Sequence, residues 1–470
     1  MKIDIEDKIL IQIGKIADIH SFEIYVVGGY VRDKVLGKNE TDFDITVVGD
    51  AIEFANIVAK KLNSHVVEYA RFRTALVPYK NIQIEFVGTR TEKYTKGSRK
   101  PEVKEGTLVD DIKRRDFTVN TIAASLNNNT LGEVLDLFNG LKDIEKRLLV
   151  TPLDPIVTYK DDPLRMMRAA RFASQLGFEI ESNSFEAIKK LHKEIRNISQ
   201  ERITDEFLKI LKTSKPSIGL NILMDTGLLE IIFPEVYNLR GIDKIEKDGR
   251  IYAHKDVFYH TLEVVDNISE MTDNLWLRFV ALMHDIAKPV TKRFHPSTGW
   301  TFHGHEEVGA KWQKRIFRNL KLPMEKHPYV EKLVRLHQRP MALVDGETTD
   351  SAYRRLAAFA GDDLEDLFIH CKADITTKNP KKVEKYLENY EIVFSRIKEV
   401  QQNDHLRAFQ SPVRGEEIME ICNIKPSRLV GFIKNEIEEA ILEGIIPNEY
   451  EKAKAYFIKN KDKWIEEYNS

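Results

Sequence analysis

The stretch from Val26 to Val48 constrains the fold of this chain most strongly. The apolar run from Ile24 to Val27 ends at Gly28 and Gly29, and a helix-like segment from Tyr30 to Leu36 follows. Bare backbone N–H groups at the start of a helix can bind phosphate oxygens. The order of strand, glycine turn and helix therefore predicts an α/β unit whose turn binds the phosphates of a nucleotide.

Acidic residues follow this turn at a spacing that suits divalent cations. Asp42 and Asp44 lie two residues apart at the start of the β-branched run from Phe43 to Val48, and residues i and i+2 of a strand share one face. Carboxylates bind Mg²⁺ together with phosphate oxygens and water, and two such ions can hold both the attacking and the leaving oxygen of an in-line displacement. We therefore predict Mg²⁺-dependent nucleotidyl transfer, with Asp42 and Asp44 as catalytic metal ligands.

Two further residues complete the predicted transfer site. Arg32, in the helix-like segment, can neutralise phosphate charge. Glu85, in the strand-like run from Asn81 to Val87, offers a third catalytic acid. A solvated glutamate on an edge strand would look the same in the sequence, so both interpretations of Glu85 stay open.

Length and charge exclude several classes of protein. At 470 residues the chain is too long for a single hydrophobic core, so we expect roughly two to four domains. A formal net charge of −2 excludes a strongly basic nucleic-acid coat protein. An RNA partner would therefore bind to local patches of lysine and arginine.

Cysteine content and hydropathy indicate a compartment. Cys371 and Cys422 are too few for a disulfide framework or a zinc site with four thiolates, which fits a reducing cytoplasm. Residues 1–14 carry acidic side chains and no small-residue cleavage site, and no run of about 18 apolar residues occurs. We expect a cytoplasmic protein that is neither exported nor inserted in a membrane.

The hydrophobic periodicity changes at about residue 140. Before this point short β-branched runs alternate with a few helices, and after it apolar residues recur with a period near 3.6. The expected fold class is multidomain and mostly α, with an N-terminal α/β nucleotidyltransferase head. The predicted domains are this head at 1–145, a helical neck and body that binds the base and tRNA at 146–245, a metal phosphohydrolase domain at 246–378 and a helical tail at 379–470.

An arginine stripe opens a helix in the second predicted domain. Asp162 fits an N-cap and Pro163 the first helical position. Arginines follow every three residues, at Arg165, Arg168 and Arg171, a spacing that a solvated helix face would share. Cytosine and adenine both present an amino donor beside an unprotonated ring nitrogen, which a carboxylate next to an arginine can match. We predict that Asp162 and Arg165 select C and A, while Arg168 and Arg171 bind phosphates or the neighbouring strand.

The first 230 or so residues resemble the class II tRNA nucleotidyltransferases, which include CCA-adding enzymes and bacterial poly(A) polymerases. The matching segments are GGYVRD (28–33), DFD (42–44), KRRDFTVN (113–120), DLFNGLKD (136–143), DDPLR (161–165) and a neck helix, ERITDEF (201–207). The resemblance implies a head of the DNA polymerase β-like type in which Asp42 and Asp44 hold Mg²⁺. It also implies that Gly29, Arg32 and Arg115 contact the nucleotide, and that Asp162, Arg165, Arg168 and Arg171 line its pocket.

One departure and one loop bear on which nucleotides are added. At Asp161 the family usually has glutamate, and the shorter acid bears on how the pocket reorients between C and A. Residues 89–111 resemble the flexible loop of full CCA-adding members, and Arg99, Lys100 and Glu105 in it favour addition of both C and A by one chain.

The helical part carries a second set of metal-ligand residues. His260, the adjacent pair His284 and Asp285, and Asp374 can hold a divalent cation while leaving positions for water. A buried core histidine is the alternative for any single one. His305 and His337 are candidates for a second metal, and the interpretation as core residues is kept for His295 and His303.

The ordered set resembles that of the HD-type metal phosphohydrolases. In related tRNA enzymes this module is associated with phosphatase and 2′,3′-cyclic phosphodiesterase activities. The resemblance therefore implies such activities here, with a divalent metal of unknown identity. Residues 411–450 resemble the C-terminal segment of nucleotidyltransferases that carry this module, with Lys425, Arg428 and Lys434 as candidate contacts to the tRNA elbow.

The predicted function is template-independent addition of CCA to tRNA, with tRNA, ATP and CTP as partners. Bacterial poly(A) polymerases come second, because Arg71-Phe72-Arg73 matches their paired basic motif only in part. An A-adding or CC-adding partial enzyme is a further alternative. The chain could also be mainly an HD phosphohydrolase, or a tRNA-binding protein without catalysis.

Overall fold

The computed structural model describes residues 1–38, 43–93, 102–241, 245–247, 250–252, 256–295, 297, 299–344, 348–404 and 411–469. The chain divides into two compact units, Met1–Tyr237 and Asn238–Ser470. The second predicted domain, at 146–245, extends across the division between these units, and the four predicted boundaries stay predictions.

The first unit contains a mixed sheet flanked by helices. Its strands are β1 (Glu23–Val27), β2 (Phe43–Val48), β3 (Val67–Tyr69), β4 (Thr74–Tyr79), β5 (Ile82–Gly88), β6 (Arg90–Lys93), β7 (Glu102–Glu105), β8 (Ala123–Ser125), β9 (Val134–Leu135), β10 (Leu148–Leu149) and β11 (Glu179–Ile180). Seven of them form one sheet in the order β3-β4-β5-β2-β1-β8-β9. The parallel pairing of β2 with β5 places Asp44 directly beside Glu85.

Helices cover this sheet and then continue without it. They are α1 (Lys8–Ile19), α2 (Gly29–Val35), α3 (Ala51–Leu62), α4 (Leu108–Lys113), α5 (Gly140–Lys146), α6 (Pro155–Asp161), α7 (Leu164–Leu176), α8 (Ser182–Leu191), α9 (Gln200–Leu211), α10 (Pro216–Asp225), α11 (Leu228–Ile232) and α12 (Pro234–Tyr237). Phe54 of α3 packs edge-on against Phe86 of β5 in the core under the sheet. The apolar face of α7, with Met166, Met167 and Ala170, is buried, and α7 packs against α9 and α10.

The second unit is almost entirely helical. Its helices are α13 (Val257–Met271), α14 (Leu275–Met283), α15 (Lys288–Thr291), α16 (His305–Asn319), α17 (His327–Leu336), α18 (Arg339–Ala342), α19 (Asp350–Ala360), α20 (Leu364–Ala373), α21 (Pro380–Asp404), α22 (Gly415–Cys422), α23 (Arg428–Leu442) and α24 (Tyr450–Asn469). Two short hairpins accompany them, β12 (Ile245–Lys247) with β13 (Arg250–Tyr252) and β14 (Arg293–His295) with β15 (Gly299–Thr301). The last three helices share a core that includes Ile418, Ile433 and Phe457.

The expected fold class is confirmed, and two local expectations are corrected. Helix α7 begins at Leu164 rather than at Pro163, because Asp162 is extended and its carboxylate accepts a hydrogen bond from Leu164 N at 3.1 Å. The segment expected to be a flexible loop contains the hairpin of β6 and β7, while Arg99 and Lys100 lie outside the described residues. Among the helices that the structure describes, none is long and apolar enough to span a bilayer.

Candidate functional site

A cavity of about 610 Å³ in the first unit is lined by the glycine turn, the start of β2 and the arginine face of α7. Of the residues predicted to bind the nucleotide or its metal, the cavity is lined by Gly28, Gly29, Arg32, Asp44, Arg115, Asp162, Arg165, Arg168 and Arg171. Asp42 lies outside the described residues, and Glu85 lies next to Asp44 on the neighbouring strand. The structure therefore brings almost the whole predicted set to one concave surface.

The glycine turn is shaped by close packing against an arginine. Gly28 adopts a φ of +71°, and a Cβ added there would lie 3.1 Å from Nη1 of Arg115. This left-handed backbone favours glycine, because other L-residues place Cβ too close to the following carbonyl. Helix α2 starts at Gly29, so its first N–H groups lie beside the cavity.

The described carboxylates fit a divalent cation. Asp44 and Glu85 are cross-strand neighbours on one face of the sheet. Burial raises the pKa of Glu85, and the negative charge of Asp44 raises it further. A cation bound between such acids would relieve their repulsion, and oxygen donors are the ligands that hard divalent cations prefer.

A chain of hydrogen bonds connects the phosphate turn to α7. Arg32 Nη1 donates to Oδ1 of Asn120 at 2.7 Å, and Asn120 Nδ2 donates to Oδ1 of Asp116 at 3.0 Å. The other oxygen of Asp116 accepts from Nε of Arg168 at 2.7 Å. Burial alone would raise the pKa of Asp116, but the charge of Arg168 and the hydrogen bonds from Asn120 and Arg168 lower it to about 2. Asp116 is therefore an ionised acid inside a cationic site.

The arginines of α7 are held by a second buried acid and an aromatic ring. Glu206 of α9 is buried and accepts from Nε of Arg171 at 2.6 Å. The ring of Phe172 lies under the guanidinium of Arg171 at 3.9 Å from its centroid, with those of Arg168 and Arg32 at 5.2 and 5.3 Å. These contacts fix the positions of cationic groups that would otherwise repel one another.

Asp162 and Arg165 line the same cavity but have separate partners. Asp162 Oδ2 lies 3.2 Å from Nη2 of Arg202, while Arg165 donates to the carbonyl oxygens of Thr158 and Arg114. The acceptor and the donors that base recognition requires are thus present at one surface.

Residue-type reasoning missed Asp116, Asn120 and Glu206. The first two lie within the segment 113–120 that carries the family resemblance, so the motif signalled their importance but not their role. Glu206 lies within the matching segment 201–207, but it has the spacing of an ordinary solvated helix residue there, and only the packing of α9 on α7 buries it.

The second unit brings together all six predicted metal ligands. On one side, Nε2 of His260 lies 3.0 Å from Oδ1 of Asp374, and Nε2 of His284 lies 3.1 Å from Oδ2 of Asp285. On the other side, Nε2 of His305 lies 3.2 Å from Oδ1 of Asp285. His337 Nε2 lies 3.3 Å from that of His305. The ligand atoms therefore form two groups that share the carboxylate of Asp285.

The tautomers of the histidines favour metal binding. Nδ1 of His284, His305 and His337 each lies 2.7–2.8 Å from a backbone carbonyl three residues earlier, which assigns the proton to Nδ1. Nε2 of each ring then faces a carboxylate or another imidazole. Burial would lower the pKa of His284, but the charges of Asp285 and Asp374 raise it, so a bound cation would take the place of the proton on its Nε2. Burial and the charge of His284 lower the pKa of His337 to about 4, so its imidazole is neutral at physiological pH.

The carboxylate of Asp285 supports the same fit. Burial would raise its pKa, but the charges of His284 and Lys288 lower it well below its usual range. Lys288 Nζ lies 2.6 Å from Oδ2, yet neither oxygen of Asp285 has a hydrogen bond of acceptable geometry among the described residues. A buried, ionised carboxylate in this state fits a divalent cation on each of its oxygens.

Three neighbouring histidines complete the description of this centre. His295 and His303 lie outside both ligand groups as expected, but they are exposed and not core residues. His370, which sequence reasoning missed, is fully buried, and its ring contacts those of His284 and His337. The spacing of four residues between His370 and Asp374 was the available signal, because such residues share a helix face.

Three family models match separate segments of the chain. Residues 24–150 match the Poly A polymerase head domain, residues 177–239 the probable RNA and SrmB-binding site of polymerase A, and residues 257–362 the HD domain. Our domain boundaries lie close to these matches but are not decided by them.

Curated relatives are 30–32% identical to the chain over the residues that align. It is 32% identical over 313 residues to the Multifunctional CCA protein of Psychromonas ingrahamii, covering 64% of this chain and 71% of the relative. It is 30% identical over 369 residues to the protein of the same name from Nitrosococcus oceani, covering 75% and 84%. With the A-adding tRNA nucleotidyltransferase of Geobacter sulfurreducens it shares 31% over 242 residues, half of this chain but only 27% of that protein.

Solved structures share the fold at lower identity. The chain matches the Bacillus stearothermophilus CCA-adding enzyme in complex with CTP with a TM-score of 0.64 and 22% identity, covering 98% of both chains. It matches the Thermotoga maritima CCA-adding enzyme complexed with tRNA with a TM-score of 0.58 and 19% identity, covering 96% and 95%.

Proposed function

The chain belongs to the class II tRNA nucleotidyltransferase family, and from this premise we propose that it adds CCA to the 3′ end of tRNA from CTP and ATP without a nucleic-acid template. The observation that carries the proposal is the single cavity lined by the glycine turn, Asp44 and the arginine face of α7. Full CCA addition is preferred to A addition, because the relatives named Multifunctional CCA protein are matched over 71% and 84% of their length and the A-adding relative over 27%.

In the proposed reaction the tRNA 3′ hydroxyl attacks the α-phosphate, and pyrophosphate leaves. The N–H of Gly28 already donates to the carbonyl oxygen of Ile122, so the donors for the departing pyrophosphate are the backbone N–H of Gly29 and the guanidiniums of Arg32 and Arg115, which stabilise its charge. Mg²⁺, with Asp44, Asp42 and Glu85 as its candidate ligands, would supply Lewis-acid activation of the hydroxyl and the phosphate.

The base of the incoming nucleotide meets Asp162 and Arg165. The carboxylate accepts from the amino group of cytosine or adenine, and the guanidinium donates to the adjacent ring nitrogen. A correct pair of this kind discriminates by roughly 1–3 kcal/mol. Asp116 and Glu206 position Arg168 and Arg171 beside it.

The test uses tRNA transcripts that lack the CCA end, end in CC or end in CCA, with CTP and ATP supplied separately and together. We expect CTP alone to extend the first transcript by CC, ATP to complete the second, and the third to remain unchanged. Long A tails would identify a poly(A) polymerase instead, and extension of the CC transcript alone would identify an A-adding enzyme. The absence of any product would contradict the proposal.

We further propose that the second unit hydrolyses phosphate esters of RNA ends, such as phosphomonoesters and 2′,3′-cyclic phosphates. The specific observation in favour is the carboxylate of Asp285 between two pairs of histidines. Asp374 and His260 complete the first group of ligands, and His305 and His337 are the proposed ligands of a second cation. A bound divalent cation would lower the pKa of a water molecule and make it a nucleophile. Lys288 lies beside Asp285, where it can bind a phosphate oxygen.

The test for this activity is release of phosphate from an RNA 3′-phosphate and opening of a 2′,3′-cyclic phosphate by the full chain. Activity should require an added divalent cation and disappear with a chelator. Equal hydrolysis with and without the chelator would contradict a metal mechanism.

Both cysteines are unpaired, which is compatible with the proposed cytoplasmic location.

A further inference from the structure

His370 is a buried imidazole that the proposed activities leave without a role. It lies on α20 with no exposed surface. Neither ring nitrogen has a hydrogen-bond partner among the residues that the structure describes. Every neutral imidazole carries one N–H donor and one lone-pair acceptor, so both capacities are unused here.

The ring of His370 adjoins both groups of metal ligands. Its centroid lies 5.1 Å from that of His284 and 6.0 Å from that of His337. Asp374 follows one helical turn later, so the side chains of His370 and Asp374 lie on the same face of α20. His370 is thus next to His284 and to Asp374, which lie in one ligand group.

The ligand histidines and His370 differ in how they are held. Nδ1 of His284 and of His337 is engaged with a backbone carbonyl, which fixes each ring. His370 has no such bond among the described residues, so no hydrogen bond fixes the orientation of its ring. A buried polar group without a partner costs about 1–3 kcal/mol, whereas an apolar side chain of similar size would avoid this cost. The imidazole is therefore unfavourable at this position unless a further partner binds it.

We propose that His370 is an additional nitrogen ligand of the cation held by His284, His260 and Asp374. With a third imidazole in this group, the site favours first-row transition cations such as Mn²⁺ or Co²⁺ over Mg²⁺, because imidazole is a borderline ligand and Mg²⁺ prefers oxygen. This inference rests on the metal site of the proposed phosphohydrolase and adds a ligand and a metal class to it.

The test compares metal binding by the full chain and its His370→Leu variant after removal of bound metal with a chelator. The readouts are the Mn²⁺ and Co²⁺ affinities from competition with a metal indicator, and the melting temperature with and without metal. We expect affinity to fall about 10–100-fold, as for other groups that hold a metal site together. The metal-free variant should melt at the same or a higher temperature, because the unpaired polar group is gone. Leu367→Met, a volume-conserving change at a buried position of the same helix, should leave the affinity unchanged.

Two outcomes would overturn the inference. One is an affinity of the leucine variant within about twofold of the wild type, at any metal-free melting temperature, which identifies His370 as a core residue. The other is a Co²⁺ absorption spectrum identical in the wild type and in His370→Gln, a variant that keeps a polar group should the leucine variant fail to fold. If the wild type itself binds no divalent cation, the proposed phosphohydrolase fails, a result distinct from either.

Discussion

Asp116 is a buried acidic residue in the arginine-rich cavity, where its negative charge stabilises the neighbouring arginines. Its side chain is buried, and its two oxygens accept from Asn120 and Arg168. Its pKa in the folded chain is about 2, against an ordinary value of 3.8. A depressed pKa means that the folded state favours the carboxylate by roughly 2 kcal/mol. This contribution is complete above the ordinary pKa and is lost as the pH falls through 4 towards 2.

We therefore expect Asp116→Asn to flatten the acid limb of stability. The free energy of unfolding of the wild type should fall more steeply between pH 4 and pH 2.5 than that of the variant, while at pH 7 the variant should be less stable by about 2 kcal/mol. Urea denaturation at each pH gives both values. Asp205→Asn, at an exposed acid of α9, is the control and should retain the wild-type slope. Equal slopes for Asp116→Asn and the wild type would contradict the assigned pKa.

At the scale of single residues, the sequence predicts those site residues whose roles depend on local spacing along the chain. Gly28, Arg32 and Asp44 were predicted from the glycine turn, the helix after it and the next strand, and all three line one cavity. Asn120 and His370 were not identified, because their roles depend on burial and on neighbours that are distant in the chain. Asp42 lies outside the described residues, so its role stays a prediction.

Helix α7 shows what can be predicted at the scale of an element. Its apolar residues are buried and its arginines line the cavity, as the spacing of three and four residues predicts. Its start was predicted one residue early, because Pro163 and not Asp162 occupies the N-cap position, while the extended Asp162 accepts from Leu164 N. The hairpin of β6 and β7 was not predicted, since its strands are polar and carry no hydrophobic alternation.

The approach of α5 to the 3₁₀ turn Thr118–Asn120 provides an element-scale prediction. A Cβ at Gly140 would lie 2.3 Å from the carbonyl oxygen of Thr118 and 2.8 Å from a side-chain carbon of Ile122. Gly140→Ala must therefore displace the turn that carries Asn120. We expect it to destabilise the protein by about 1–3 kcal/mol, as overpacked cores do, and to lower transfer activity.

The matched control for this prediction is Gly431→Ala. Gly431 lies within α23, and an added Cβ there meets no atom within 4 Å. Alanine at such a helical position should stabilise by roughly 0.5–1 kcal/mol. Chemical denaturation of both variants measures the difference. A Gly140→Ala protein as stable as the wild type would contradict the packing described for α5.

At the scale of the whole molecule, each compact unit has its own core and its own candidate site. The cavity with Asp44 lies entirely within Met1–Tyr237, and the histidine cluster within Asn238–Ser470. The sequence predicted the change from α/β to helical structure and the existence of several domains. It could not fix the boundaries, because the helices on both sides of residue 237 share the same periodicity.

Crossed variants test whether the two proposed activities are chemically independent. Asp44→Asn should reduce nucleotide addition at least about 100-fold, the scale on which loss of one charge-stabilising group acts, and leave phosphate hydrolysis unchanged. Asp285→Asn should do the reverse. Extension of labelled tRNA and release of phosphate are measured on each protein. Glu53→Gln and Glu270→Gln, at exposed positions of α3 and α13, should leave both activities intact. Loss of both activities in either aspartate variant would contradict independence.

Because the two ligand groups share the carboxylate of Asp285, a substitution of this residue cannot remove one metal site and leave the other. Each of its oxygens faces a different histidine pair, so any change at this one position alters both halves at once. A protein that binds only one cation is obtained by replacing a histidine that belongs to one ligand group alone, either His260 of the first group or His337 of the second. Titrations of such proteins would report the strength of each half alone, and the wild type would report how far occupancy of one half assists the other.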